Sequence, residues 1–125
     1  MPPTEAELAT LEARLAALLD PYRDRLEPVE VYGQPFLRRP GATKHEWFAG
    51  VNQGKGVVRF SLLPMYAHPE LLDGLSPALV KRKTGASLFT FTAIDDRELA
   101  ELADLVGRAY AVYGADSTRE TGGIR

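Results

Sequence analysis

The chain has no cysteine, two histidines and one tryptophan among its 125 residues. The missing cysteine excludes disulfides, thiolate metal sites and a cysteine nucleophile together, and it fits a cytoplasmic chain. Two histidines without HxH or HExxH spacing give little support to a zinc centre. No hydrophobic run approaches the roughly 20 residues of a membrane span. The first residues, Met1-Pro2-Pro3-Thr4-Glu5, lack the apolar core of a signal sequence. Neither charge sign dominates: net charge is −2, which gives nucleic acid or an anionic membrane no electrostatic reason to bind. Also missing are a glycine-rich phosphate loop after a strand and a serine with nucleophile-elbow flanks. Enzymatic chemistry is therefore unsupported.

What is present is a chain of one domain's length, 45% apolar and 26% charged, with enough apolar residues for a single core. Thr4-Glu5-Ala6-Glu7 forms a capping box. Leu8, Leu11, Leu15, Leu18, Leu19 and Tyr22 then recur at helical spacing. Pro21 predicts a break near Asp20, and Pro28 an end. Val29–Tyr32 and Pro35–Arg38 are predicted strands. A hairpin follows, with Gln53-Gly54 as its tight turn, so that Ala49 opposes Val58, Trp47 opposes Phe60 and His45 opposes Leu62. By alternation, Trp47 and Phe60 face the helices, while Phe48 and Arg59 lie opposite each other on the outer face. Pro64 to Pro69 is an irregular corner, and Pro69 to Gly74 a single turn. Ser76-Pro77 starts a short helix ending in Lys81-Arg82-Lys83 before Gly85. Ser87–Phe91 is a strand. Asp95-Asp96-Arg97-Glu98 is a second capping box, opening a helix with the stripe Leu99, Leu102, Val106, Tyr110 and Tyr113. Residues 1–114 form the domain and 115–125 a flexible polar tail. The predicted fold is a two-layer α+β sandwich, an antiparallel sheet covered on one face by the N- and C-terminal helices.

Phe48-Ala49-Gly50-Val51, Leu62-Leu63-Pro64-Met65-Tyr66, Pro69-Glu70-Leu71-Leu72, Lys81-Arg82 and Phe89-Thr90-Phe91 are arranged in a way that resembles the YdhG-like domain of unknown function. That resemblance runs from Phe48 to Tyr113 and implies a frataxin-like shape. Family members usually carry a lysine after the glycine and a cysteine before the phenylalanine. Here Ala86 and Leu88 stand there, so an activity resting on that lysine is not expected. One branch of the family is associated with intracellular iron handling.

Three sets of residues compete for a function. Phe48, Lys55, Arg59, Lys81 and Lys83 combine an aromatic with cations, suited to an anion or to a protein contact. The same cations also serve as helix-end and hairpin-tip charges. Tyr66 and His68 mark a corner that suits acid–base work or metal binding, and His45 is placed near the same end. Glu5, Glu12, Asp20, Asp24, Glu27 and Glu30 offer oxygen ligands to iron or another hard cation, as in the acidic ridge of frataxin-like proteins. Arg14, Arg23 and Arg25 interleave with these acids and pair with them naturally. The leading expectation is a non-enzymatic binding or adaptor domain without a cofactor, taking an unknown protein or small ligand, with a homodimer through the outer face as one form. An iron carrier is the alternative, and an enzyme acting at the Tyr66–His68 corner the third.

Overall fold

The computed structural model describes residues 3–31, 33–40 and 47–123, with side chains as far as Tyr113. Helix α1 (Glu5–Ala17) starts where the sequence places it. The Glu7 N–H donates to Thr4 Oγ1 at 3.1 Å, and the Thr4 N–H donates to Glu7 Oε1 at 2.8 Å. Pro21 sits inside a 3₁₀ turn, Asp20–Arg25, that follows the helix. Strands β1 (Glu27–Val31), β2 (Gln34–Arg38), β3 (Trp47–Gly54) and β4 (Val57–Leu62) come next. The expected irregular corner contains a helical turn, α2 (Pro64–Ala67), then a 3₁₀ turn, Pro69–Leu72. Helix α3 (Pro77–Val80) is N-capped by Ser76, whose Oγ accepts from the Leu79 N–H at 3.3 Å.

The chain then departs from expectation. Lys83 does not end a helix but begins an edge strand, β5 (Lys83–Gly85), followed by β6 (Leu88–Phe91). Helix α4 spans Asp96–Gly123, and its start carries the predicted reciprocal bonds between Asp95 and Glu98 at 2.7 and 3.2 Å. The expected tail at 115–125 overlaps the end of α4 as far as Gly123; its side chains and residues 124–125 lie outside those described. His45 also lies outside the described residues, and Leu62, expected opposite it, pairs with Ala49.

The six strands form one antiparallel sheet in the order β1-β2-β3-β4-β6-β5. Leu8, Leu11 and Leu15 of α1, and Leu102, Leu105, Val106 and Ala109 of α4, share one core with Val58, Phe60, Leu62, Phe89 and Phe91. Both long helices therefore cover the same face of the sheet. Among the described residues, no helix covers the other face, hereafter the open face.

The hairpin register differs from the predicted one. Gly54 pairs with Val57 across a Lys55-Gly56 loop, and Gly56 takes φ +73°, which glycine adopts without strain. Val51 then opposes Phe60, Ala49 opposes Leu62, and Arg59 opposes Asn52 rather than Phe48. Between β2 and β3, Leu37 pairs with Ala49 and Arg38 with Trp47, leaving Phe48 as an extra residue on β3. Such a bulge turns the strand by one residue. Phe48, expected on the outer face, is instead fully buried beneath the helices. Trp47, expected under them, packs on Phe36 on the open face.

Phe48 meets three tyrosine rings, those of Tyr22, Tyr110 and Tyr113, at centroid distances of 6.1, 5.5 and 5.2 Å. The Tyr113 hydroxyl accepts from the Arg39 N–H at 2.9 Å, tying α4 to the end of β2. We expect Phe48→Ala and Phe60→Ala each to lose about 3–5 kcal/mol in denaturant melts. A loss below about 1 kcal/mol for Phe48→Ala would place that ring on the open face instead.

Candidate functional site

The open face carries a groove of about 410 Å³. Its floor comes from the outward positions of β3, β4 and β6. Ser61 lies between the buried Phe60 and Leu62, so it points away from the helices, as does Gly50, paired with it. Asn52 and Arg59 form the next outward pair, and Leu88 opposes Ser61 from β6. Phe36 and Trp47 supply the aromatic wall, with ring centroids 5.8 Å apart.

Gly50 makes this wall possible. A Cβ there would stand 2.6 Å from the Pro35 carbonyl oxygen and 2.9 Å from the Phe36 ring. The Phe36 ring therefore rests directly on the β3 backbone. Gly54 does the same for Arg59, whose guanidinium occupies the space a side chain there would take. Among the described residues, Arg59 makes no hydrogen bond or ion pair, and no carboxylate lines the groove. The other groove polar groups are the amides of Gln34 and Asn52 and the hydroxyls of Ser61 and Ser87. Groups of this kind can hydrogen-bond a ligand, and none of them is a ready proton acceptor at neutral pH.

Two further depressions are larger, and the arginine in each is held by a carboxylate. One, about 530 Å³, lies between α1 and Ile94 and includes Arg14. That guanidinium donates to Asp96 Oδ1 at 2.9 Å and to the Ile94 carbonyl at 3.3 Å. The other, about 510 Å³, lies beside α3 and holds Lys81, Arg82 and Glu98. There the buried Glu98 carboxylate accepts from Arg82 Nε at 3.2 Å and from the Asp95 N–H.

The expected cation cluster is thus divided. Arg59 stands on the open face, Lys55 in the exposed β3–β4 loop, Lys81 beside α3, and Lys83 on the edge strand. Phe48 belongs to the core and leaves the site, while Trp47 and Phe36 enter it. Tyr66 is 74% exposed on α2. The His68 imidazole is 3.1 Å from the Glu70 carboxylate, and its backbone carbonyl accepts from the Leu71 N–H at 3.0 Å. Neither Tyr66 nor His68 lines any of the three depressions.

The acidic residues are spread out. Glu12 accepts from Gln53 Nε2 at 2.9 Å, Asp20 pairs with Arg23 at 2.7 Å, and Glu27 pairs with Arg38 at 2.8 Å. Glu5, Asp24 and Glu30 are exposed. Among the described residues, no three His, Asp or Glu side chains gather where they would hold one metal ion.

The contact at Gly50 generates a test. Gly50→Ala drives a methyl group against backbone and ring at once, so the cost of overpacking applies, about 1–3 kcal/mol. Because Trp47 is the sole tryptophan, its emission should shift in the same variant as Phe36 is displaced. Unchanged stability and emission would mean that the Phe36 ring does not rest on Gly50.

No family model, curated protein or solved structure matches this chain.

Proposed function

We propose that this domain is a non-enzymatic binding protein whose ligand lies on the open face of the sheet. The observation that carries this reading is the groove lined both by the Phe36–Trp47 ring pair and by Arg59, which has no partner among the described residues. An aromatic wall beside convergent amide, hydroxyl and guanidinium donors is the composition of a small-ligand site. A sheet face left uncovered by helices makes room for such a ligand without disturbing the core. The YdhG-like, frataxin-like assignment belongs to the same proposal. It is supported by the two long helices on one face of an antiparallel sheet and by the motif order in the sequence. Location in the cytoplasm is proposed with it, on the missing cysteine; no helix among the described residues is long and apolar enough to cross a membrane.

The single tryptophan makes the proposal testable. Its indole N–H gives one resonance, and that resonance belongs to the groove. In a fragment screen by NMR, hits should move the Trp47 indole together with Asn52, Arg59 and Ser61. Hits that cluster at Tyr66 and His68 while leaving Trp47 still would contradict the reading. Light scattering should report a monomer. A dimer that Trp47→Arg returns to monomer would replace the small ligand with a second copy of the chain.

A further inference from the structure

The ligand class follows from how the arginines are used, and the inference rests on the open-face reading above. Arg14, Arg23, Arg38, Arg82 and Arg108 each pair with a carboxylate, at 2.7 to 3.2 Å. Arg25 and Arg97 also pair with no carboxylate among the described residues, but Arg25 stands over the Tyr110 ring at 5.9 Å and Arg97 is exposed on the first turn of α4. Arg59 has no such partner either, and it alone of these lines the groove, mid-strand where a cross-strand acid would be easy to place. Its opposite residue is Asn52, a neutral amide, and its neighbour across β6 is Thr90. The groove thus carries one positive charge and, among its described lining residues, no negative one.

A guanidinium offers two parallel donors that match a carboxylate's two oxygens. One cation complements one negative charge. A phosphate group would call for further cations or for a set of converging backbone N–H groups. The apolar end of the groove sets the rest of the ligand. The Phe36 ring lies over Gly50, two residues along β3 from Asn52, which strand geometry places about 7 Å away. A ring stacked on Phe36 and Trp47 therefore has the Arg59 backbone about one ring's length beyond it, while the guanidinium itself lies two residues further along, over Gly54.

We infer that the groove binds a flat aromatic monocarboxylate, its ring against Phe36 and Trp47 and its carboxylate on Arg59. The Arg59 guanidinium, resting against Gly54 when the groove is open, turns to meet the anion.

Titrations followed at the Trp47 indole N–H, with 2-naphthoate, neutral 2-naphthamide and cationic 2-naphthylmethylammonium as probes, test this. Naphthoate should bind at least about tenfold more tightly than the amide, since a hydrogen bond between charged groups contributes that much. Arg59→Gln should remove the preference, weakening naphthoate at least about tenfold more than the amide. Arg59→Lys, which keeps the charge but loses the fork, should retain only part of it. Arg59 is exposed, so both variants should fold, and their melting behaviour checks that. Equal binding of acid and amide, or naphthoate binding unchanged in Arg59→Gln, would overturn the carboxylate assignment while the open-face site stood. If no aromatic probe moves Trp47, both fail.

Discussion

One extra residue in β3 governs the molecule. In a regular strand, Trp47 and Ala49 would share a face and Phe48 would take the other. The bulge opposite Leu37 and Arg38 breaks that alternation, so Phe48 and Ala49 are both buried. Phe48 becomes the ring on which α4 and the 3₁₀ turn converge, since Tyr22 stacks on Tyr110 at 4.7 Å and both touch it. The same shift sends the only tryptophan to the other side. Core and groove are thus two consequences of one register change, and neither can be altered without the other. Bulges often re-aim a side chain near a functional site in this way.

The rest of the open face follows from what the bulge exposes. Trp47 needs an apolar neighbour, and Phe36 supplies it by lying on a glycine. Several charges elsewhere are matched: carboxylates meet guanidiniums at α1, at α4 and along β1 and β2. No buried side-chain nitrogen or oxygen among the described residues lacks a partner. Arg59 stands out within the groove, because an arginine without a carboxylate partner that shares a groove with two aromatic rings is more useful to a ligand than to the fold.

Much of this was legible in the sequence, and the remainder has physical reasons for being hidden. The capping boxes at Thr4 and Asp95 and the leucine stripes act through local geometry, so they can be found without tertiary information. The sequence offers two hairpin loops two residues apart, because Gln53-Gly54 and Lys55-Gly56 have the same turn chemistry, and the chain uses the later one. A shift of two keeps the parity of the strand, so Val58, Phe60 and Arg59 were assigned to their correct faces. The bulge changes parity, and nothing local in Arg38, Trp47 or Phe48 announces it. It arises because Phe48 finds three tyrosines from elements far away in sequence. Lys83 resembles part of a helix end in the sequence, because its pairing with Phe89 is likewise a tertiary fact. The groove inherits these limits: Arg59 was visible as an outward strand residue, but its aromatic companions were not.

The central claim is that Phe48 points into the helices and Trp47 away from them. Ring-to-ring nuclear Overhauser contacts test it most directly. The account predicts contacts from Phe48 to Tyr22, Tyr110 and Tyr113, and from the Trp47 indole to Phe36. Contacts between the Trp47 indole and Tyr110, with Phe48 lacking tyrosine neighbours, would show a regular strand without the bulge and would contradict both the core and the groove described above.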